Sequence, residues 1–351
     1  MEKIISGIQQ IGIGVTNIDE GWKWYSKFFG MDIQIFNDSS VAELMLPYTN
    51  NQKCKRHAIL AVSIQGGGGF EIWQHTGKTP ELPKFETQIG DYGIFAAKIK
   101  TKDINASFEY FKSNGVNILK DIDNTEFGKY FFIKDPFGNI FQIVQEDNMF
   151  TKGNHANGGV YGCIIGVSDI EKAKKVYSDI LGYDKVISEK EGFFDDLSTL
   201  PGGKNKLQRV LLKHSQSRKG AFSKFLGASC IELVKVIDRQ PKKIFENRIW
   251  GDPGFIHLCI DISGMNATRE ECSAKGFPFT VDTGKGFDMG DASGHFSYIE
   301  DNDGTLIEFV ETHKLPIIKK IGWYFNLKNR NPEKPLPDWM IKALKFNRVK
   351  N

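Results

Sequence analysis

Residues 299–311, IEDNDGTLIEFVE, and residues 133–145, IKDPFGNIFQIVQ, decide how this chain reads. Each passes from an apolar residue through a charged residue and Asp into a turn that closes on Gly. Each then enters a short apolar strand carrying one polar side chain, Glu308 in the later copy and Gln142 in the earlier one. A strand written twice, once with a carboxylate and once with an amide, points to internal duplication.

Four segments share one order of events: QIGIGVTNIDEGWKWYSKFFG (10–30), AAKIKTKDINASFEYFKSNG (96–115), GCIIGVSDIEKAKKVYSDILG (162–182) and HLCIDISGMNATREECSAKG (257–276). Each opens on an alternating strand and continues into a helix whose apolar residues recur at helical spacing, as Trp22, Tyr25 and Phe29 do. Asn17, Asp103 and Asp169 stand where an N-cap belongs, and Gly30, Gly115, Gly182 and Gly276 where a helix closes. After further strand-like pieces each unit ends on GFEIW (69–73), IFQIV (140–144), CIELV (230–234) or LIEFV (306–310). The unit therefore reads β-α-β-β-β. Glu71 and Glu232 lie 161 residues apart, as do Ala96 and His257, so a block of two units has been duplicated.

With 351 residues the chain holds roughly two domains of ordinary size. A net charge of +3, with basic residues spread along the chain, argues against nucleic acid as a partner. Cys54, Cys163, Cys230, Cys259 and Cys272 are scattered and odd in number, which suits reduced thiols rather than disulfides or a zinc knuckle. The opening MEKIISGIQQIGIGV lacks the pattern of a signal peptide, and no apolar run is long enough for a membrane span. A cytoplasmic location is expected.

The β-α-β-β-β repeats, the D-P-F-G-N and D-N-D-G-T turns and the polar-centred final strands resemble the vicinal oxygen chelate superfamily over about residues 8–312. That superfamily includes glyoxalase I, methylmalonyl-CoA epimerase, bleomycin-resistance proteins and extradiol dioxygenases. The resemblance implies an α+β fold of four βαβββ modules paired into two incomplete barrels. Residues 1–150 would form a metal-free N-terminal domain and 158–313 a C-terminal domain with the metal site. Residues 314–351, a basic aromatic tail, would pack on the body or on a second copy in a homodimer.

In such folds the resemblance places four ligand positions on the first and last strands of two paired units. The N-terminal block offers Gln10, Glu71, Ala96 and Gln142 there, and the C-terminal block Gly162, Glu232, His257 and Glu308. Amides are weak donors and Ala96 is none, whereas two carboxylates and an imidazole suit Zn, Ni, Mn, Co or Fe(II). The expected metal ligands are thus Glu232, His257 and Glu308. Glu308 is expected as the catalytic base with Glu232 as its partner, and His295 or His214 as a substitute for the missing donor at Gly162.

The reaction implied is that of a metal-dependent glyoxalase-like lyase or isomerase, acting on a small substrate with vicinal oxygens through an enediolate. An extradiol-type Fe(II) dioxygenase and a non-catalytic small-molecule binder of the bleomycin-resistance type are the rivals. His57, His75, His155 and His313 read as surface residues. GGGG (66–69) lacks phosphate-loop spacing and reads as a flexible hairpin turn, and GKGFDMGDASG (284–294) equally as a mobile loop over the cleft or as an ordinary long loop.

Overall fold

The computed structural model describes residues 2–153, 155–284, 287–288, 293–328 and 330–349. The first module comprises β1 (Ile4–Gly14), α1 (Ile18–Phe29), β2 (Ile33–Ala42), β3 (Cys54–Val62) and β4 (Gly69–His75). The second comprises β5 (Gly93–Thr101), α2 (Ile104–Ser113), β6 (Asn117–Thr125), β7 (Gly128–Lys134) and β8 (Ile140–Gln145). The third contains β9 (Asn157–Gly166), α3 (Ile170–Tyr177), β10 (Lys185–Gly192), β11 (Leu207–Lys213), a short α4 (Ser223–Leu226) and β12 (Cys230–Val236). The fourth contains β13 (Gly254–Ser263), α5 (Met265–Ala274), β14 (Val281–Asp282), β15 (Phe287–Asp288), β16 (Ser293–Glu300) and β17 (Leu306–Ile318).

Local chemistry sets the helix ends. Asn17 Oδ1 accepts from the amides of Asp19 and Glu20, Asp103 from that of Ala106, and Asp169 from that of Lys172. The strand alternation sorts side chains between two faces. Phe70 packs on the rings of Tyr25 and Phe29 of α1, with centroids 5.2 and 6.0 Å apart, so its neighbour Glu71 points to the opposite, concave face.

Consecutive modules do not share a sheet. One sheet runs β14-β16-β17-β13-β1-β4-β3-β2 and the other β10-β11-β12-β9-β5-β8-β7-β6. The first module is thus paired with the fourth and the second with the third, which corrects the expectation that 1–150 and 158–313 would each close a barrel alone. The cause is visible in the central pairs. Strand β1 runs antiparallel to β13 from Ile4↔Ser263 to Gly14↔Gly254, and β5 to β9 from Gly93↔Gly166 to Thr101↔Asn157. The β1 backbone is cut to fit the fourth module: a Cβ on Gly12 would stand 2.4 Å from the His257 ring, and one on Gly14 2.1 Å from the Asp252 carbonyl.

The run at 66–69 is a buried joint between the two barrels, not a flexible turn. Gly68 and Val160 exchange backbone hydrogen bonds of 2.9 and 2.7 Å, and Gly67 donates to the Phe225 carbonyl. A Cβ on Gly67 or Gly68 would lie 2.8 Å from a carbonyl oxygen, so only glycine admits this approach.

Strand β17 continues into the tail, which adds β18 (Trp323–Asn326) and α6 (Asp338–Ala343). Leu336, Met340, Ile341 and Leu344 of the tail are buried in the apolar cluster on the concave side of the first sheet. Arg348 Nε bonds Asp32 Oδ2 at 2.8 Å. All five cysteines are buried and unpaired. No helix among the described residues is long and apolar enough to cross a membrane. The loop at 284–294 falls largely outside the described residues.

Candidate metal centre

Four strands of the first barrel bring Gln10 (β1), Glu71 (β4), His257 (β13) and Glu308 (β17) to one point. Glu71 and Glu308 arrive from either flank of the β1–β13 pair. His257 Nε2 lies 3.1 Å from Glu308 Oε2 and 3.4 Å from Glu71 Oε2. Gln10 Nε2 lies 3.2 Å from Glu71 Oε2 and 3.5 Å from Glu308 Oε2. All four side chains are buried. Gly12, which is opposite His257 in the register, leaves the space the imidazole occupies.

Despite the short distances, His257 Nε2 has no hydrogen bond of adequate geometry, and Gln10 Oε1 is buried without a partner. The four polar ends gather around a common point, with Gln10 Nε2 donating to both carboxylates. Bonds of about 2.0–2.2 Å to a bound ion put neighbouring ligands roughly 3 Å apart, close to the separations here. Half a turn of the Gln10 amide exchanges Nε2 for Oε1 and presents an oxygen at the same place. Burial alone would push the His257 imidazole down, but Glu308 and Glu71 beside it hold it at about 9. The protonated imidazole is thus the cation that answers the two carboxylates, and a bound ion would take its place. The residues present fit a divalent metal ion.

Tyr298 of β16 stands edge-on to His257, with ring centroids 5.5 Å apart and its hydroxyl 3.5 Å from Nδ1. Gln10, Glu71 and Glu308 of the cluster line a cavity of about 390 Å³, bounded by β2, β3, β16, β17 and α4, with Leu344 from the tail in its wall.

Glu232 is not part of this cluster. It lies on β12 of the second barrel, where Gly162, Glu232, Ala96 and Gln142 fill the counterparts of Gln10, Glu71, His257 and Glu308. There Lys98 Nζ donates to Glu232 Oε2 at 2.6 Å and to Gln142 Oε1. Arg209 Nε donates to Glu232 Oε1 at 2.9 Å, and Arg209 Nη1 to Asp196 Oδ2 at 2.8 Å. The Arg209 guanidinium lies over the rings of Phe127 and Phe194, at 3.9 and 4.7 Å. Burial raises the Glu232 carboxyl, but Lys98 and Arg209 pull it down to about 2. A lysine ammonium thus sits against the counterparts of Glu71 and Glu308, where the first barrel would take a metal ion.

His295 bonds Asp282 at 2.5 Å and faces a second cavity, and His214 Nδ1 lies 2.8 Å from the Gln216 carbonyl in the other barrel, so neither joins the cluster. His75 is buried 3.7 Å from Asp252 rather than on the surface. Lys98, Arg209 and Tyr298 were missed in the sequence. The first two had a signal, since each is a cation with apolar residues on both sides or one side of it in a strand, AAKIK or LQRVLLK.

Duplicated βαβββ modules around a convergent ligand set define a class, and sequence comparison agrees with it. Two family models of the Glyoxalase/Bleomycin resistance protein/Dioxygenase superfamily match residues 7–143 and 163–298, and the chain belongs to that superfamily. A comparison with curated proteins gives no match. Among solved structures, glyoxalase I from Zea mays is 14% identical, with 88% of this chain and 92% of that chain covered and a TM-score of 0.54. A dioxygenase candidate from Bacillus subtilis is 12% identical, with 88% and 86% covered and a TM-score of 0.57. At these identities the likeness is one of fold.

Proposed function

We propose that the first barrel binds one divalent metal ion through Gln10, Glu71, His257 and Glu308 and acts as a glyoxalase-type lyase or isomerase. The substrate would be a small molecule with two adjacent oxygens. One observation carries this reading: four donor side chains from four strands, with neighbours 3.1–3.5 Å apart, three of them lining a cavity. The bound ion would supply Lewis-acid polarisation of both substrate oxygens.

The chain's own residues would do the rest. Glu308 and Glu71 reach the site from opposite flanks of the central strand pair, so one carboxylate can take a proton from a carbon next to the oxygens while the other stays in place. We assign the base to Glu308 and its partner role to Glu71, in the place expected for Glu232. Tyr298 supports the His257 ring and fixes its orientation. The apolar walls exclude water from the transferred proton. A two-histidine, one-carboxylate set of the extradiol kind would need a second imidazole, and His214 and His295 lie elsewhere. That favours the lyase or isomerase.

Metal analysis of protein purified without added metal tests the reading, followed by solvent-deuterium exchange into α-hydroxycarbonyl compounds. One equivalent of metal lost in His257→Ala, with exchange lost in Glu308→Gln, is the expected result. Wild-type protein that takes up no divalent ion would overturn it.

A further inference from the structure

The charged groups in the cavity wall are already engaged. Apart from Glu71 and Glu308, the charged side chains lining it are Asp38, Glu43, Arg56 and Lys314. Arg56 Nη1 is 2.6 Å from Asp38 Oδ2 and also donates to the Asp38 carbonyl at 2.9 Å. Glu43 is 2.9 Å from Lys53 Nζ, and Lys314 Nζ lies 4.4 Å from the centroid of the Tyr324 ring. Of the four, Arg56 keeps one N–H without a partner, Nε, and its charge is already answered by Asp38.

Aromatic surface dominates the rest of the wall. Phe36, Trp73, Phe222, Phe225, Trp250 and Phe296 all line the cavity. Trp73 lies two residues beyond Glu71 on β4, so its ring begins about 7 Å along the strand from the metal position, on the same face. Trp250 meets it edge to face, with centroids 4.2 Å apart. The indole N–H groups of both, and Arg56 Nε, are buried without partners. That end of the cavity therefore offers ring faces.

We infer that this site selects an uncharged molecule in which the pair of adjacent oxygens is attached to an aromatic or bulky apolar group, the group being held between the cluster and the Trp73–Trp250 pair. A cavity of about 390 Å³ lies at the small end of ligand sites, which suits one ring rather than a long charged conjugate. A carboxylated substrate would leave its charge in an apolar wall, and a desolvated, unpaired carboxylate is costly. The inference rests on the metal-site reading above, and the two separate experimentally.

Hydroxamic acids present two adjacent oxygens to a metal and vary only in what is attached to them. Zinc-loaded full-length protein is titrated calorimetrically with acetohydroxamic, benzohydroxamic and 4-carboxybenzohydroxamic acids. Benzohydroxamic acid is expected to bind at least about tenfold more tightly than either of the others. Trp250→Ala should remove the preference for the ring while acetohydroxamic acid binds as before, and Trp250→Phe should restore most of it. Equal binding of the acetyl and benzoyl compounds, or tighter binding of the carboxylated one, overturns the inference and leaves the metal site standing. Should the protein take up no zinc, the metal reading falls, and titration with 1-naphthol decides the apolar part alone. Saturable binding that Trp250→Ala abolishes supports a ring site, and no binding overturns it.

Discussion

In the first barrel Glu71 and Glu308 face an imidazole, an amide and a cavity. In the second their counterparts, Glu232 and Gln142, close on the ammonium of Lys98, and Arg209 ties Glu232 to Asp196. The strands, their order and the inward-facing positions are alike. What differs is the cation that answers a buried carboxylate: Lys98 and Arg209 in one copy, and in the other the His257 imidazole, within the cluster proposed above as an ion site. The segment after β10 completes the contrast. Leu197 and Leu200 pack into the apolar cluster of the second sheet, and Asp196 bonds Arg209 and Tyr130 there. One copy is filled by its own chain and the other is left open.

The sharpest way to break this comparison is to remove a donor from the open copy. His257→Ala is expected to weaken metal binding by more than about 100-fold, beyond the roughly 10–100-fold cost of losing an outer partner. Inductively coupled plasma analysis after dialysis would read it. The same substitution should leave the second barrel folded, as urea unfolding would show.

Removing the internal cation should do the reverse. Lys98→Met strips one partner from a fully buried carboxylate, and breaking such a pair costs about 3–5 kcal/mol. Denaturant midpoints should fall accordingly while metal uptake is retained. Adding Glu232→Gln to Lys98→Met should recover part of the loss, because no unpaired charge then remains. If Lys98→Met proves as stable as wild type, the lysine is not compensating the carboxylate and the comparison fails.

Gly12→Ala probes how closely the open copy is fitted. Its methyl group would stand 2.4 Å from the imidazole, so the ring must move. Overpacking of this kind costs about 1–3 kcal/mol, and metal affinity should drop with it. Crystallography or competition with a chromogenic chelator would detect the displacement.

The smallest effects are pH slopes of opposite sign. Glu232 is held at about 2 in the fold against an ordinary 4.5, so the stability it contributes is present above about pH 4.5 and is lost as pH falls toward 2. Asp261 of the first barrel is raised by burial from 3.8 to about 7, despite bonds from Gln9 and Thr312. The folded form keeps a proton that the unfolded chain releases, so stability falls as pH rises from about 4 to 7. Glu232→Gln should flatten the acid limb and Asp261→Asn the neutral one in urea midpoints measured across pH. An unchanged slope in either variant would remove that residue from the account.

Much of this architecture was legible in the sequence. Four modules and their caps follow from period-two and period-3.6 patterns that are local, and the family resemblance implied the eight aligned ligand positions. His257 and Glu308 were read from that alignment, and Gln10 and Glu71 stood at the right places in it. The pairing of modules was not legible. The choice between β5 and β13 as the neighbour of β1 depends on contacts across some 250 residues and on glycines that admit a partner's side chain. Glu232 was therefore grouped with the wrong copy. Lys98 could have warned against it, since a lysine among apolar residues on a buried strand needs a carboxylate to answer it.

The order of the modules also sets a timetable. Strands β5 and β9 are near neighbours in the chain, so the second barrel can close while the ribosome is still at work. Strand β1 must wait for β13 and β17, which at about 5–20 residues per second emerge on the order of tens of seconds later. Throughout that interval Gln10 and Glu71 have no site to belong to.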